Sequence, residues 1–330
     1  MNNNLSKPHD RLALALSDEM AAVNTLIKLR MASEHAPRIP EVTAHLLDAG
    51  GKRLRPMLTL AAARMCGYTG PYHIHLAATV EFIHTATLLH DDVVDDSDQR
   101  RGRPTANLLW DNQSTILVGD YLFARAFQLM VETSNLRVLD ILANASATIA
   151  EGEVLQLSAA QDVATTEEIY FRIIRGKTAA LFSAAMEVGA VIAKKDKKTV
   201  QALSNYGDAL GISFQIVDDL LDYTGTEATG KNIGDDFRER KLTLPVIKAI
   251  AAADANELAF WEKCISKGAQ GEGDLEHALR LMSSHNALKD THTQALYWAE
   301  KAKAALEMVP EHEFKPMLMD LSDYVVSRIN

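Results

Sequence analysis

The stretch 81-EFIHTATLLHDDVVDDSDQRRGRP-104 decides what kind of chain this is. Its first half spaces apolar and small residues at helical, not alternating, intervals. It then puts Asp91, Asp92, Asp95 and Asp96 within six positions, with Arg100 and Arg101 close behind. In a helix, residues four apart lie one above the other, so Asp91 and Asp95 share a face and Asp92 is offset from them. Like charges at that spacing repel, and a helix C-terminus already disfavours anions. The pattern recurs in "QIVDDLLD" at 215–222, where Asp218, Asp219 and Asp222 repeat the arrangement. One such cluster is read either as a solvated acidic helix end or as a cation site. Two copies, each behind an apolar run, favour the cation. Oxygen donors without His or Cys at ligand spacing select a hard ion such as Mg²⁺.

Working outward, helical periodicity continues over 12–31, 72–95, 112–132, 136–158, 166–193, 198–223 and 241–253. Sustained period-two alternation is missing, so no strand is expected. Loops are expected at 66–71, 100–107, 224–236 and 267–274, where Gly, Pro, Asn and Asp gather. Thr165 with Glu168 predicts a capping box, and Pro310 and Pro316 bracket the entry to a last helix. No segment has the composition of a linker. The expectation is one all-α domain over residues 1–330, with residues 1–10 as a flexible tail.

With 47% hydrophobic and 24% charged residues, the chain can bury a large core. Cys66 and Cys264 have neither metal-ligand nor disulfide-framework spacing, which fits a reducing compartment. The first twenty or so residues lack the apolar stretch of a secretory signal, and no window has the roughly 18–20 uncharged residues of a membrane span. A cytoplasmic location is expected. The net charge of −10 argues against a nucleic-acid partner. Basic residues nevertheless cluster in "GGKRLRP" (50–56), "RRGR" (100–103) and "RGK" (175–177). They are read either as ordinary mixed surface or as an anion site that a divalent cation reconciles with the aspartates. Lys52 and Arg55, three apart after two glycines, suit anion binding at a helix start. Lys177–Thr178 adds a cation beside a hydroxyl.

Taken together, "GGKRLRP", "FIHTATLLHDDVVDDSDQRRGRPTAN", "GKTAALF", "FQIVDDLLDYTG" and "GKNIGDD" resemble the trans-type polyprenyl diphosphate synthases from about residue 15 to the C-terminus. The wording around the first motif is most similar to the long-chain bacterial, octaprenyl-type members. The resemblance implies the isoprenoid synthase fold, a helical bundle around a deep central cavity. It implies a Mg²⁺-dependent head-to-tail prenyltransferase that condenses isopentenyl diphosphate onto an allylic diphosphate such as farnesyl diphosphate. On the same footing, Asp91, Asp92, Asp95, Asp218 and Asp222 hold the metal, about three Mg²⁺ per site. Arg100, Lys177, Thr178, Gln215 and Lys231 meet the allylic diphosphate, with Lys177, Thr178 and Gln215 acting in catalysis. Lys52, Arg55, His84 and Arg101 bind the isopentenyl diphosphate. The product is then a long all-trans polyprenyl diphosphate, octaprenyl before nonaprenyl or decaprenyl, for a quinone tail of the ubiquinone type. A homodimer that touches the membrane transiently to release product is also implied.

Thr87 and Ala86 lie about one turn before Asp91, and Ile83 is the first bulkier side chain behind them. Small residues there imply a deep tunnel, or else merely allow close helix packing. Two other functions compete. One is a non-catalytic or regulatory subunit of a heteromeric prenyl synthase. The other, prompted by His90–Asp91, is an HD-type phosphohydrolase. Tyr324 and Arg328, one turn apart, are read as surface charge, with closure of Arg328 over the isopentenyl site as the alternative.

Overall fold

The computed structural model describes residues 7–48, 50–100, 102–225 and 233–328. Helices form on each periodic stretch. The first divides at Leu16 into α1 (Pro8–Ala15) and α2 (Ser17–Met31), so residues 8–10 are helical; α3 (Arg38–Asp48) and α4 (Leu54–Met65) follow. Then come α5 (Tyr72–Val94), α6 (Ala106–Leu109), α7 (Asn112–Glu132) and α8 (Leu136–Ala159). Next, α9 (Glu167–Ile174) runs through a π turn at Arg175–Ala179 into α10 (Ala180–Ile192), and α11 (Lys197–Thr224) carries the second aspartate motif. The remainder is α12 (Asp235–Arg238), α13 (Leu244–Ala251), α14 (Ala255–Trp261), α15 (Asp274–Ser284), α16 (Ala287–Leu306) and α17 (Phe314–Ser327).

Three local expectations are corrected. The loop after the first motif contains a minimal hairpin, β1 (Gln99–Arg100) antiparallel to β2 (Arg103–Pro104), with Gly102 at a φ of 73° in its turn. A glycine there makes the reversal possible, and four strand residues are too few to leave a periodic signal. The cap of α9 is Thr166, whose hydroxyl accepts from the Ile169 N–H at 3.3 Å. Thr165 is buried and donates instead to the Ala159 carbonyl at 3.2 Å, tying off the end of α8. Pro316 lies within the first turn of α17, where its missing N–H costs no helical bond.

The chain separates into two compact units, Met1–Ser146 with Ala184–Ser204 and Val309–Met317, and Ala147–Ser183 with Asn205–Met308 and Leu318–Asn330. In the first unit α5 is the central helix, packed on α2, α4 and α7. It buries Leu76, Val80, Phe82, Ile83, Ala86 and Leu89, each of the larger ones stabilising by about 1.5–3 kcal/mol. Gly189 of α10 rests directly on α4; a Cβ there would stand 2.8 Å from the Ala63 nitrogen. In the second unit Tyr223, Phe237, Val246, Trp261, Cys264, Ile265 and Met282 form a core that closes beneath the second motif. No described helix is long and apolar enough to cross a membrane.

Candidate active site

In the first unit, His84, Thr87 and Asp91 share one face of α5, with His84 two turns before Asp91. Asp91 is half-buried, and Asp95 is the exposed C-cap residue whose N–H bonds the Asp91 carbonyl at 2.8 Å. Asp92 points elsewhere, as its offset requires. It is fully buried, its Oδ1 accepts from Arg100 Nε at 2.7 Å, and its Oδ2 is buried without a partner. Burial pushes this carboxyl up, and the Arg100 guanidinium pulls it part of the way back. Arg100, assigned by resemblance to the leaving group, therefore already spends Nε on Asp92.

Two of the four isopentenyl candidates meet: Arg55 Nη1 stands 3.2 Å from His84 Nε2. Lys52 is exposed on the preceding loop, and Arg101 lies outside the described residues. The intervening Arg53, at a φ of 49°, turns to the buried Glu81 of α5 and locks the start of α4 to it (Nη1–Oε1 2.5 Å). Of the chain-length candidates, Thr87 lies on the partly open Asp91 face, bonding the His84 carbonyl at 2.8 Å, whereas Ile83 and Ala86 are wholly buried. His90 is committed to α7. Its Nε2 lies 3.1 Å from the Ile116 carbonyl, and the ring fills the space that a side chain at Gly119 would need. A ring committed to α7 in this way speaks against its use in an HD-type phosphohydrolase.

In the second unit, α8 crosses the π turn at two glycines. A Cβ on Gly152 would stand 2.7 Å from the Lys177 nitrogen, and one on Gly176 would stand 3.0 Å from Gly152 Cα. That approach sets Lys177 Nζ against Glu153 Oε2 at 2.9 Å, while Glu153 Oε1 is buried without a partner. Next to it, the buried Thr178 hydroxyl donates to Gln215 Oε1 at 2.8 Å. Gln215 Nε2 donates to Asp219 Oδ1 at 2.9 Å, and the Tyr170 hydroxyl donates to Asp219 Oδ2 at 2.5 Å. Asp222 accepts twice from the "GDD" segment: its carbonyl from the Gly234 N–H at 2.8 Å and its Oδ2 from the Asp236 N–H at 3.1 Å. Lys231 lies outside the described residues. Arg328 is not frayed surface charge. Its side chain is 19% exposed, reaches Asp218 Oδ1 at 3.3 Å and lies over the Phe214 ring.

The donor set suits a divalent hard cation. Asp218, Asp219, Asp222 and Asp236 crowd one end of α11, and burial, with their mutual repulsion, pushes Asp219 and Asp236 up. Such an excess of buried negative charge is what a divalent cation relieves. Among the described residues, no three His, Cys, Asp or Glu side chains are grouped closely enough to hold an ion by themselves. A metal here needs oxygens from a ligand to complete its shell, as Mg²⁺ does with phosphates.

Sequence reasoning did not assign Tyr170, Glu153, Asp236 or the Arg53–Glu81 pair. Tyr170 had a signal: it precedes Lys177 by seven residues, two helical turns. Glu153 follows a glycine in "EGEV", a mark of close backbone approach.

A family profile described as Polyprenyl synthetase matches residues 36–282. The octaprenyl diphosphate synthase of Haemophilus influenzae is 41% identical over 320 residues, covering 97% of each chain. The crystal structure of a decaprenyl diphosphate synthase from Rhodobacter capsulatus superposes with a TM-score of 0.95 at 70% identity, covering 98% of this chain and 99% of that one. A polyprenyl synthase from Caulobacter crescentus, crystallised with calcium and isoprenyl diphosphate, does so with a TM-score of 0.92 at 50% identity, covering 98% of each. The chain belongs to the polyprenyl synthetase family, and is a trans-prenyltransferase with that family's all-α fold.

Proposed function

We propose that the chain condenses isopentenyl diphosphate onto an allylic diphosphate, farnesyl diphosphate or a close analogue, to build a long all-trans polyprenyl diphosphate. One observation carries this: Lys177, paired with Glu153, stands beside the linked oxygens of Thr178 and Gln215, with Asp219 and its neighbours completing the set. Ionising an allylic diphosphate breaks the carbon–oxygen bond and sends its electron pair with the leaving group. Negative charge then grows on the diphosphate and positive charge on the allyl carbons. Lys177, Lys231 and Arg100 would meet the first. The oxygen dipoles of Thr178 and Gln215 would meet the second. Arg55 and His84, with Lys52 and Arg101, would hold the diphosphate of the isopentenyl partner so that its double bond attacks the cation. The departing diphosphate takes the proton lost in closing the new double bond. Mg²⁺, held by Asp91, Asp95, Asp218 and Asp222 together with substrate oxygens, would supply charge neutralisation at the leaving group. Asp92, turned inward onto Arg100, would stand behind that set, and the family likeness to a neighbour crystallised with calcium supports a divalent ion.

The product is long, in the octaprenyl-to-decaprenyl range. The 70% identity to a protein named as a decaprenyl synthase favours the upper end. Of the three chain-length positions, Thr87 on the partly open Asp91 face would line the path of such a chain, with the wholly buried Ala86 and Ile83 packed behind it. The two units work as one catalytic domain in the cytoplasm, with brief contact at a membrane surface to unload product for a quinone tail. A homodimer belongs to the same proposal. Exposed Leu117, Phe127 and Val131 along α7 give it an apolar face to bury. Incubating the purified chain with isopentenyl and farnesyl diphosphates and Mg²⁺, with mass analysis of the product, tests the proposal. Octaprenyl to decaprenyl diphosphate is expected; a product no longer than geranylgeranyl diphosphate overturns the length. Activity of the purified chain by itself excludes a purely regulatory subunit.

A further inference from the structure

We infer that Asp219, the middle carboxylate of the second motif, is a positioning residue that works with Tyr170 through Gln215 and Thr178, and is not a ligand of the divalent cation. The inference rests on the proposed function of Thr178 and Gln215. Its basis is a chain of hydrogen bonds whose direction is fixed at one end. Asp219 is buried, and each of its oxygens is taken by a different donor: Oδ1 by Gln215 Nε2 at 2.9 Å and Oδ2 by the Tyr170 hydroxyl at 2.5 Å. Both contacts run towards the carboxylate, with the Gln215 amide NH₂ and the Tyr170 hydroxyl as the donors. Gln215 thus turns its NH₂ towards Asp219, which leaves its Oε1 facing Thr178. Oε1 only accepts, so the Thr178 hydroxyl must donate across the 2.8 Å between them.

The consequence is chemical. With its proton committed to Gln215, Thr178 has only oxygen lone pairs to offer outward. Lone pairs are the end of the dipole that stabilises an electron-deficient allyl carbon; a hydroxyl proton in their place would oppose the charge developing there. The polarity of the catalytic dipoles is thus set at Asp219, two hydrogen bonds away from Thr178. Tyr170 comes from α9, a different helix from Gln215 and Asp219, and keeps the carboxylate from turning outward towards Asp218. The geometry of α11 agrees. Position 219 is rotated about 100° from 218, so the two neighbouring carboxylates cannot point the same way. In the first motif the equivalent Asp92 is likewise turned inward, onto Arg100.

Asp219→Asn is the direct test, because an Asn amide can donate to Gln215 Oε1, flip the Gln amide and reverse the Thr178 hydroxyl. A fall in kcat of roughly a hundredfold is expected, with KM for both substrates nearly unchanged. The Mg²⁺ concentration for half-maximal rate should not move. The rise in melting temperature on adding Mg²⁺ with inorganic diphosphate should also persist in the variant. Tyr170→Phe should cost roughly tenfold in kcat with the same unaltered Mg²⁺ requirement. Combining either change with Gln215→Ala should add little to the loss from Gln215→Ala alone, since all act through one amide. If Asp219→Asn fails to fold, Tyr170→Phe and its combination with Gln215→Ala carry the same test. A raised Mg²⁺ requirement with kcat recovered at saturation would make Asp219 a ligand and overturn the inference. Losses that multiply with Gln215→Ala would overturn it too, as would a Tyr170→Phe variant of wild-type kcat. Absence of polyprenyl product from the wild-type chain would instead overturn the proposed function itself.

Discussion

Gly152→Ala sets two effects of opposite sign against each other at the catalytic turn. Gly152 lies inside α8, where Ala is favoured over Gly by about 0.8–1 kcal/mol. On propensity alone the variant would be the more stable protein. The added Cβ, however, would stand 2.7 Å from the Lys177 nitrogen, 3.0 Å from the Gly176 carbonyl carbon and 3.1 Å from Gly176 Cα. All three are main-chain atoms, so no rotamer change relieves the contact. Carbon contacts settle at about 3.5–4.0 Å, which requires α8 and the π turn to part by close to about 1 Å. Overpacking of this kind costs about 1–3 kcal/mol, enough to cancel the propensity gain and leave a net loss of about 0–2 kcal/mol. The melting temperature should fall by no more than about 8 °C. Catalysis is the more sensitive readout, because the displaced segment carries Lys177 and Thr178. A misplacement of about 1 Å can cost on the order of a hundredfold in rate. Thermal denaturation together with steady-state incorporation of labelled isopentenyl diphosphate measures both. A folded variant with a kcat reduced by roughly tenfold or more is expected. A variant with raised melting temperature and unchanged kcat would refute the claim that this glycine crossing positions Lys177.

Other consequences can be checked separately. Cys66 and Cys264 are buried, and burial pushes both thiols up from the usual 9.0 to about 11. At pH 8 the thiolate population falls about a hundredfold below that of an ordinary cysteine, so native protein should resist thiol reagents that label it readily in denaturant. Rapid labelling of the native protein would contradict the burial. Glu81→Ala leaves Arg53 charged and only a fifth exposed, and should cost about 3 kcal/mol of stability, read as a lower midpoint in urea. An unchanged midpoint would mean that the pair does not anchor α4. Arg328→Ala removes a cation that competes for Asp218, so the Mg²⁺ needed for half-maximal rate should drop roughly two- to fivefold. A higher requirement would show instead that Arg328 assists metal or substrate binding.

The helices were legible because burial imposes a period that survives in composition. α5 declared itself through Leu76, Val80, Ile83 and Leu89, and the same period located α7, α8 and α11. The spacing of each aspartate motif also foretold which carboxylate stands apart, since Asp92 and Asp219 differ from their neighbours only by their angle about a helix. What stayed hidden depends on contacts between segments distant in sequence. No local pattern announces that Tyr170 will meet Asp219, 49 positions on, or that Glu153 will meet Lys177. The cap at Thr166 was misplaced by one residue because two threonines compete there, and only the chain's exit from α8 decides between them. Arg328 was read as surface charge because its partner lies 110 residues earlier.

The central claim is that both aspartate motifs serve one diphosphate through divalent cations. Crystals grown with Mn²⁺ and a non-reactive thio-analogue of the allylic diphosphate would test it through the anomalous signal of the metal. Metal peaks at Asp91 and Asp95 and also at Asp218 and Asp222, gathered around one shared diphosphate, are the predicted result. Metal at one motif alone, or at two motifs bound to separate ligands, would contradict the account.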